Sequence, residues 1–267
     1  MMIRIAGMIA IMAASALAQA QDSSTSTKVR KKVLVELYTS QGCNSCPPAN
    51  EFLGELARQG FGADRIVPVG FHVDYFNEPW ADPFSKKEYS QRQWAYNSVK
   101  KRKDLYFTPM MMVDGRYPML GSNRPLALSS LRKALAEKPG ASIEMKLSGT
   151  GSDRSLNVDV APLVSSIAGR DLMVGVTVTE GPVSTNIPSG ENEGKTLVEH
   201  FAVRSFAFQK LKFDSKESKS FTFPLKLGSD SVPSKVRVAA FIQDWDDGKV
   251  YQAESIPWAA ESKLTTR

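Results

Sequence analysis

Cysteine and histidine are scarce in this chain: its 267 residues hold two of each. That excludes the disulfide-stapled class of small secreted domains, which rely on several bridges. It also leaves only Cys43, Cys46, His72 and His200 to build a structural zinc site, which normally takes four such ligands. Beyond the N-terminal segment there is no apolar run approaching the roughly 20 residues of a membrane-spanning helix. Long basic tracts are missing as well. The net charge of +6 is a modest excess, and its densest cluster, Lys100-Lys101-Arg102-Lys103, falls at the end of a predicted helix. Positive charge is favoured there by the helix dipole, so the cluster gives no reason to expect a nucleic-acid partner.

What is present begins with Arg4, an apolar stretch from Ile5 to Leu17, and small residues at Ala16, Ala18 and Ala20. This is the pattern of a secretory signal peptide over residues 1–20, cleaved near Ala18 or Ala20, and it predicts a periplasmic or secreted protein. No cysteine lies near the cleavage site, which excludes a lipoprotein. Residues 21–31, rich in Ser and Thr, read as a disordered leader, and 261–267 as a tail. The mature chain is long enough to bury cores unaided. Closing a four-residue loop with a disulfide is worth only about 2 kcal/mol, so stapling is a poor explanation for Cys43-Asn44-Ser45-Cys46.

The run Val33 to Tyr38 is apolar apart from Glu36, as expected of a central parallel strand covered on both sides. After the cysteines, Ala49, Phe52, Leu53, Leu56 and Ala57 keep helical spacing until Gly60. A second strand over Ile66 to Val73 completes a βαβ unit. Ser85-Lys86-Lys87-Glu88 has the form of a capping box opening a helix to about Lys100. Met110 to Val113, Asp114-Gly115 and Tyr117 to Leu120 form a hairpin pattern, and Leu128, Leu131 and Leu135 mark a last helix that ends at Pro139-Gly140. The order β-α-β-α-β-β-α over 32–140, with a mixed sheet, is a minimal thioredoxin-like α/β core. From 141 to 260 the pattern alternates, with strands near 142–148, 155–160, 172–180, 197–206, 219–227, 236–243 and 249–256, which predicts an all-β, sandwich-like C-terminal domain. The long loop from Glu180 to Lys195 has the length of a functional or disordered segment.

A strand, then CxxC, then a helix inside a βαβ unit is a redox pattern. A thiol attacks as its thiolate, and at an ordinary pKa near 8.5 it is mostly protonated at neutral pH. The N-terminal end of the helix is expected to favour the Cys43 anion, with Cys46 one turn further in. Cys43 is thus the candidate nucleophile and Cys46 the resolving thiol, a chemistry that needs no bound cofactor. Glu36, a carboxylate in an apolar strand, is the candidate proton acceptor for Cys46. His72 and Asp74 share parity at the C-terminal edge of the second strand, where α/β sheets place their sites. An alternative is a soft-metal carrier, copper for instance, with Cys43, Cys46 and His72 as ligands. A further alternative is a binding module that the cysteine pair locks. His200, among Val198, Phe201 and Val203, reads as structural. Tyr75 and Trp80, with Thr108 and Pro109, are candidates for a substrate groove beside the cysteines.

Val33 to Pro48, Gly70 to Asn77, Gln91-Arg92-Gln93, Tyr106 to Pro109, Gly190 to Arg204 and Phe241 to Tyr251 together resemble an uncharacterised bacterial family of predicted secreted proteins with a thioredoxin-like fold. The resemblance covers nearly all of the mature chain. It implies that Cys43 and Cys46 match the redox pair, that they form a disulfide, and that Pro109 matches the cis-proline. Glu36 then resembles the buried acid, one residue further from the first cysteine than in thioredoxin, and Gly42 stands in place of the usual tryptophan. The partners implied are exported protein thiols or disulfides, and the number of subunits is left open.

Overall fold

A computed structural model describes residues 29–259; the expected signal peptide, most of the leader and the tail lie outside the described residues. The first half runs β1 (Val33–Thr39), α1 (Pro47–Glu55), β2 (Ile66–His72), α2 (Lys87–Val99), β3 (Met110–Val113), β4 (Tyr117–Leu120) and α3 (Arg124–Leu135). The second half is β5 (Ala141–Thr150), β6 (Asp153–Pro162), β7 (Leu172–Glu180), β8 (Val183–Asn186), β9 (Thr196–Glu199), β10 (Ala202–Leu211), β11 (Lys219–Lys226), β12 (Val236–Asp244) and β13 (Val250–Pro257). The fold is therefore mixed α/β in the order the sequence predicts, with two differences in the second half. The strand expected over 197–206 is two strands, β9 and β10, and the long loop contains β8, which pairs with β9.

β1 is buried at every position because it is covered on both faces. Val33, Val35 and Leu37 pack with Phe52 and Leu53 of α1 and Leu131 of α3, while Leu34 and Tyr38 pack on the other face with Tyr89 and Tyr96 of α2. It pairs in parallel with β2, from Val33↔Ile66 to Thr39↔His72, and antiparallel with β3. At the tip of the β3–β4 hairpin, Asp114 and Gly115 both take positive φ, 55° and 63°, as the Asp-Gly pair demands. The capping box does not form: Lys86 occupies the N-cap of α2 without a side-chain cap. Ser85 Oγ instead donates to the Asp82 carbonyl at 2.8 Å and accepts from Asn77 Nδ2 at 2.9 Å. The loop ahead of α2 takes the hydroxyl that the helix end was expected to use.

The strands of the second half are divided between the large sheet and smaller ones of their own. One eight-stranded sheet runs β13-β12-β7-β10-β2-β1-β3-β4, and β11-β6-β5 form a smaller sheet. The smaller sheet packs through Leu156, Val158 and Phe223 onto Val174, Val176, Val238 and Trp258, so the sandwich is real but half of it belongs to the α/β sheet. The join is narrow. β10 meets β2 in parallel at Ala202↔Gly70, and the Gly70 N–H donates to the Phe201 carbonyl at 2.7 Å. A Cβ on Gly70 would stand 3.2 Å from that oxygen, so a glycine lets the two backbones close. The chain is anchored from Lys31 onward: its Nζ lies 2.9 Å from Asp114 Oδ1 and 2.5 Å from the Val250 carbonyl. Lys32 N–H donates to Gln252 Oε1 at 2.9 Å, so the segment leading into β1 meets the hairpin tip and β13.

Candidate functional site

Cys43 and Cys46 lie at disulfide-bonding distance, with Cα atoms 5.5 Å apart, in the turn between β1 and α1. The helix begins later than expected. Cys46 is its N-cap, and Pro47 and Pro48 fill the first positions, where missing N–H groups cost least. Cys43 stands three residues ahead of the cap, in the turn that its N–H closes onto the Ser40 carbonyl at 3.3 Å. The first helical donors, Ala49 and Asn50, both reach back to the Cys46 carbonyl, at 3.0 and 3.1 Å. The helix end therefore offers Cys43 fewer free donors than expected; its nearest polar neighbour is Ser45 Oγ, 3.3 Å from Sγ. Gly42 is glycine for a local reason: a Cβ there would run into the carbonyl oxygen of Phe76, which leaves no room for a tryptophan.

The turn is covered by the segment between β8 and β9. Asn192, fully buried, donates from Nδ2 to the Gln41 carbonyl at 2.9 Å and the Cys43 carbonyl at 3.0 Å. Glu191 accepts from the Asn44 N–H at 2.9 Å. Under this strap Cys43 is 2% exposed and Cys46 1%.

A buried ionic cluster lies beneath the turn. His72 Nδ1 is 2.7 Å from Asp82 Oδ2, and its Nε2 faces Glu199 Oε2 at 3.4 Å. That second contact is an ion pair without hydrogen-bond geometry, since Nε2 has no hydrogen-bond partner. Burial opposes the charge on His72, but the carboxylates of Asp82 and Glu199 outweigh it and raise the imidazole to about 10. Asp82 is pushed up by burial, yet the His72 charge and the N–H groups of Gln41 and Phe84, at 2.8 and 2.9 Å, hold it below the usual carboxylate range. Asn50 of α1 donates to Glu199 Oε2 at 2.7 Å. One turn before it, Cys46 lines a cavity of about 200 Å³ together with Asn50, Glu199, Thr39 and Ser40.

Glu36 does not come to the cysteines. Its parity on β1 turns it to the face opposite α1, where Arg92 Nε donates to Oε1 at 2.8 Å and the Tyr96 hydroxyl to Oε2 at 2.5 Å. Tyr38 adds a third donor at 3.0 Å. His72 and Asp74 also part company: β2 ends at His72, and the Asp74 carboxylate pairs with Ser90 Oγ on α2. A metal set of Cys43, Cys46 and His72 finds no support. His72 is held between Asp82 and Glu199, and among the described residues no group of three or more His, Cys, Asp or Glu side chains could hold a metal ion. His200 lies against Gly54 of α1 with Nε2 3.4 Å from Glu51, a packing role as expected.

The Thr108–Pro109 bond is cis, as the family resemblance implied. The Pro109 carbonyl accepts from Gly121 N–H at 2.8 Å, and a Cβ on Gly121 would stand 2.9 Å from Ala49 Cβ and 3.2 Å from Pro109 Cβ. Pro109 and Ala49 of α1, three residues past Cys46, thus converge on Gly121. Gln93 ties this segment to Tyr75, donating to the Phe107 carbonyl at 2.7 Å and accepting from the Tyr75 hydroxyl at 2.9 Å. Trp80 Nε1 donates to Gln41 Oε1 at 3.3 Å, which places the indole at the cysteine turn. Asn50, Asp82, Glu191, Asn192 and Glu199 are the polar residues that sequence reasoning missed. The signal for Glu199 was a carboxylate between Val198 and His200 in an apolar stretch, the same kind of signal that drew attention to Glu36.

Among the described residues no helix is long and apolar enough to cross a membrane. Two solved structures share the fold. A protein of Agrobacterium tumefaciens from a structural-genomics programme is 22% identical, with 88% of this chain and 98% of that chain covered and a TM-score of 0.66. HBP35 of Porphyromonas gingivalis is 16% identical, with 90% and 79% covered and a TM-score of 0.68. No curated protein matches the sequence. The signature of the family described as "Protein of unknown function (DUF1223)" matches residues 34–243, so the chain belongs to that family.

Proposed function

We propose that this protein is an exported thiol-disulfide oxidoreductase, in which Cys43 attacks and Cys46 resolves. One observation carries the reading: the two cysteines of the chain stand at disulfide-bonding distance in a strand-to-helix turn, and Ala49 of the helix that follows abuts the same Gly121 as Pro109. The element order over 32–140, with β1 and β2 parallel and β3 and β4 antiparallel, supports a thioredoxin-like core. Residues 141–260 then act as a second unit that completes the sheet and brings the strap and Glu199 to the cysteines. The signal-peptide pattern over 1–20 supports export to the periplasm or beyond, where the substrates are protein thiols or disulfides. Thr108, Pro109, Tyr75 and Trp80 would line the substrate side, and the reaction takes its electrons from the dithiol without a cofactor. The reading is tested with a Cys46→Ser variant expressed with its signal peptide. Stable mixed disulfides between Cys43 and exported proteins are expected, and their absence would remove the activity.

The strap favours a second reading, a binding module locked by the pair. Cys43 is almost fully covered, so exchange requires Asn192 and Glu191 to release the turn first. Reduction that alters partner binding, with no mixed disulfides in the Cys46→Ser variant, would select this reading.

A further inference from the structure

The oxidoreductase reading assigned a proton acceptor to Glu36, and the fold takes that residue away. A resolving thiol only 1% exposed still has to lose its proton before it can attack. Exposed groups and bulk water are poorly placed to take it, so a buried base near Cys46 is required. Within the cavity that Cys46 lines, Glu199 is the carboxylate with a built setting. It arrives on the last residue of β9, beside Asn50 of α1.

Resting on the oxidoreductase reading, we propose that Glu199 is the proton acceptor for Cys46, positioned by Asn50 and by the His72–Asp82 pair.

The two oxygens of Glu199 are held unequally. Oε2 receives the Asn50 amide at 2.7 Å and the His72 charge at 3.4 Å. Oε1 has only a long contact to Gln41 Nε2, at 3.4 Å. One oxygen fixes the group and the other stays available to a proton. The charges facing Glu199 from the elements around it are His72 from β2, Asp82 behind it from the loop ahead of α2, and Glu51 from α1 at the wall of the cavity. Among the described residues, His72 is the one cation within ion-pairing distance of Glu199. With His72 charged, the trio Asp82, His72 and Glu199 carries a net charge of one negative unit. Transfer of a proton from Cys46 neutralises Glu199 while the negative charge moves to sulfur, so the buried region gains no net charge. That is the condition under which a proton moves cheaply in a low-dielectric interior.

The sequence balances as follows. The Cys43 thiolate attacks one sulfur of a substrate disulfide, forming a mixed disulfide and releasing the first substrate thiolate. Cys46 gives its proton to Glu199 and its thiolate attacks Cys43 Sγ. The mixed disulfide breaks, the Cys43–Cys46 bond forms and the second substrate thiolate leaves, to be protonated by Glu199 or by solvent. Two electrons pass from the dithiol to the substrate disulfide.

The test uses the reduced full mature chain and one equivalent of dithiobis(nitrobenzoate), whose two thionitrobenzoate ions report the two steps in succession. Glu199→Gln is expected to slow the second release at least tenfold near neutral pH and to leave the first within about twofold, because attack by Cys43 does not use Glu199. Glu199→Asp should restore part of the loss, and the pH profile of the second release should shift upward in Glu199→Gln alone. A second release that is unchanged, or a first release slowed as much as the second, overturns the proposal. If Glu199→Gln does not fold, Asn50→Ala decides: a slowed second release supports the assignment and an unchanged one overturns it. The Cys46→Ser trapping experiment fails independently. Its failure with the two-step release intact would remove the physiological activity and leave Glu199 as the base of Cys46.

Discussion

Two buried glutamates, Glu36 on β1 of the large sheet and Glu199 at the end of β9 in the two-stranded β8–β9 ribbon, differ in what surrounds them, and the difference separates structure from chemistry. Glu36 is met by a guanidinium and two hydroxyls, so its charge is compensated three times over, on the face away from the thiols. Arg92 in turn reaches Gln243 of β12 at 2.9 Å and lies over the rings of Phe206 and Phe241 at 5.0 and 5.1 Å. That glutamate ties α2 to the sheet. Glu199 has one close amide, a second only at 3.4 Å, an imidazole in poor hydrogen-bond geometry, and a wall shared with Cys46. A carboxylate saturated with donors holds a fold together, whereas a carboxylate left partly unsatisfied can exchange a proton.

The sharpest way to break this comparison is to remove the saturated carboxylate. Glu36→Ala leaves Arg92 buried without its counter-charge and should cost about 3–5 kcal/mol, read from urea unfolding; a loss under 1 kcal/mol would mean that the pair does not fasten α2. Next is the pH dependence of the His72 cluster. The imidazole is raised from 6.5 to about 10 in the folded protein, so its contribution is fully present below pH 6.5 and is lost as pH rises toward 10. Stability should fall over that window by on the order of a few kcal/mol. His72→Gln should flatten that fall, and identical alkaline slopes in the two proteins would contradict the ion pairing.

A smaller effect is expected at the strap. Glu191 places a negative charge on the Asn44 N–H, between the two cysteines, and negative charge disfavours a nearby thiolate. Glu191→Gln should therefore lower the Cys43 pKa, by less than about one unit for so exposed a group, as followed by thiolate absorbance in the reduced protein. A rise would reverse the assigned sign. The smallest effect is at Glu36 again. Glu36→Gln should leave both thionitrobenzoate releases within about twofold of the parent, whatever it costs in stability, and a slowed second release would return the acid's role to β1.

Much of the α/β half was legible because its signals are local. Continuous apolar runs marked β1 and β2 as strands covered on both faces, helical spacing marked α1 and α3, and Asp114-Gly115 announced its own turn. The cysteine turn was legible for the same reason, although the two prolines move the helix start to Pro47. What stayed hidden depends on distant segments. The face to which Glu36 points was fixed by strand parity, but that α1 lies on the other face required the packing of Phe52 and Leu53. Glu199 and Asn192 reach the cysteines across roughly 150 residues of chain, and no local pattern carries such a pairing. The merger of the two halves was hidden too. It rests on one rung at Gly70, and a glycine in a strand gives no sign of which backbone approaches it.

The clasp between Lys31 and Val250 sets the order in which the polypeptide can finish itself. Its partners are 219 residues apart, and the neighbouring bond from Lys32 to Gln252 spans 220. As synthesis proceeds from the N-terminus, β1 can gather β2 and β3 and Lys31 can meet Asp114, yet the bonds of Lys31 and Lys32 to Val250 and Gln252 cannot close until β13 has been made. Topologies dominated by such distant pairings fold on the slow side, in milliseconds to seconds rather than microseconds. The Lys31–Val250 clasp thus acts as a latch that closes last, and the large sheet is completed only once β13 is present.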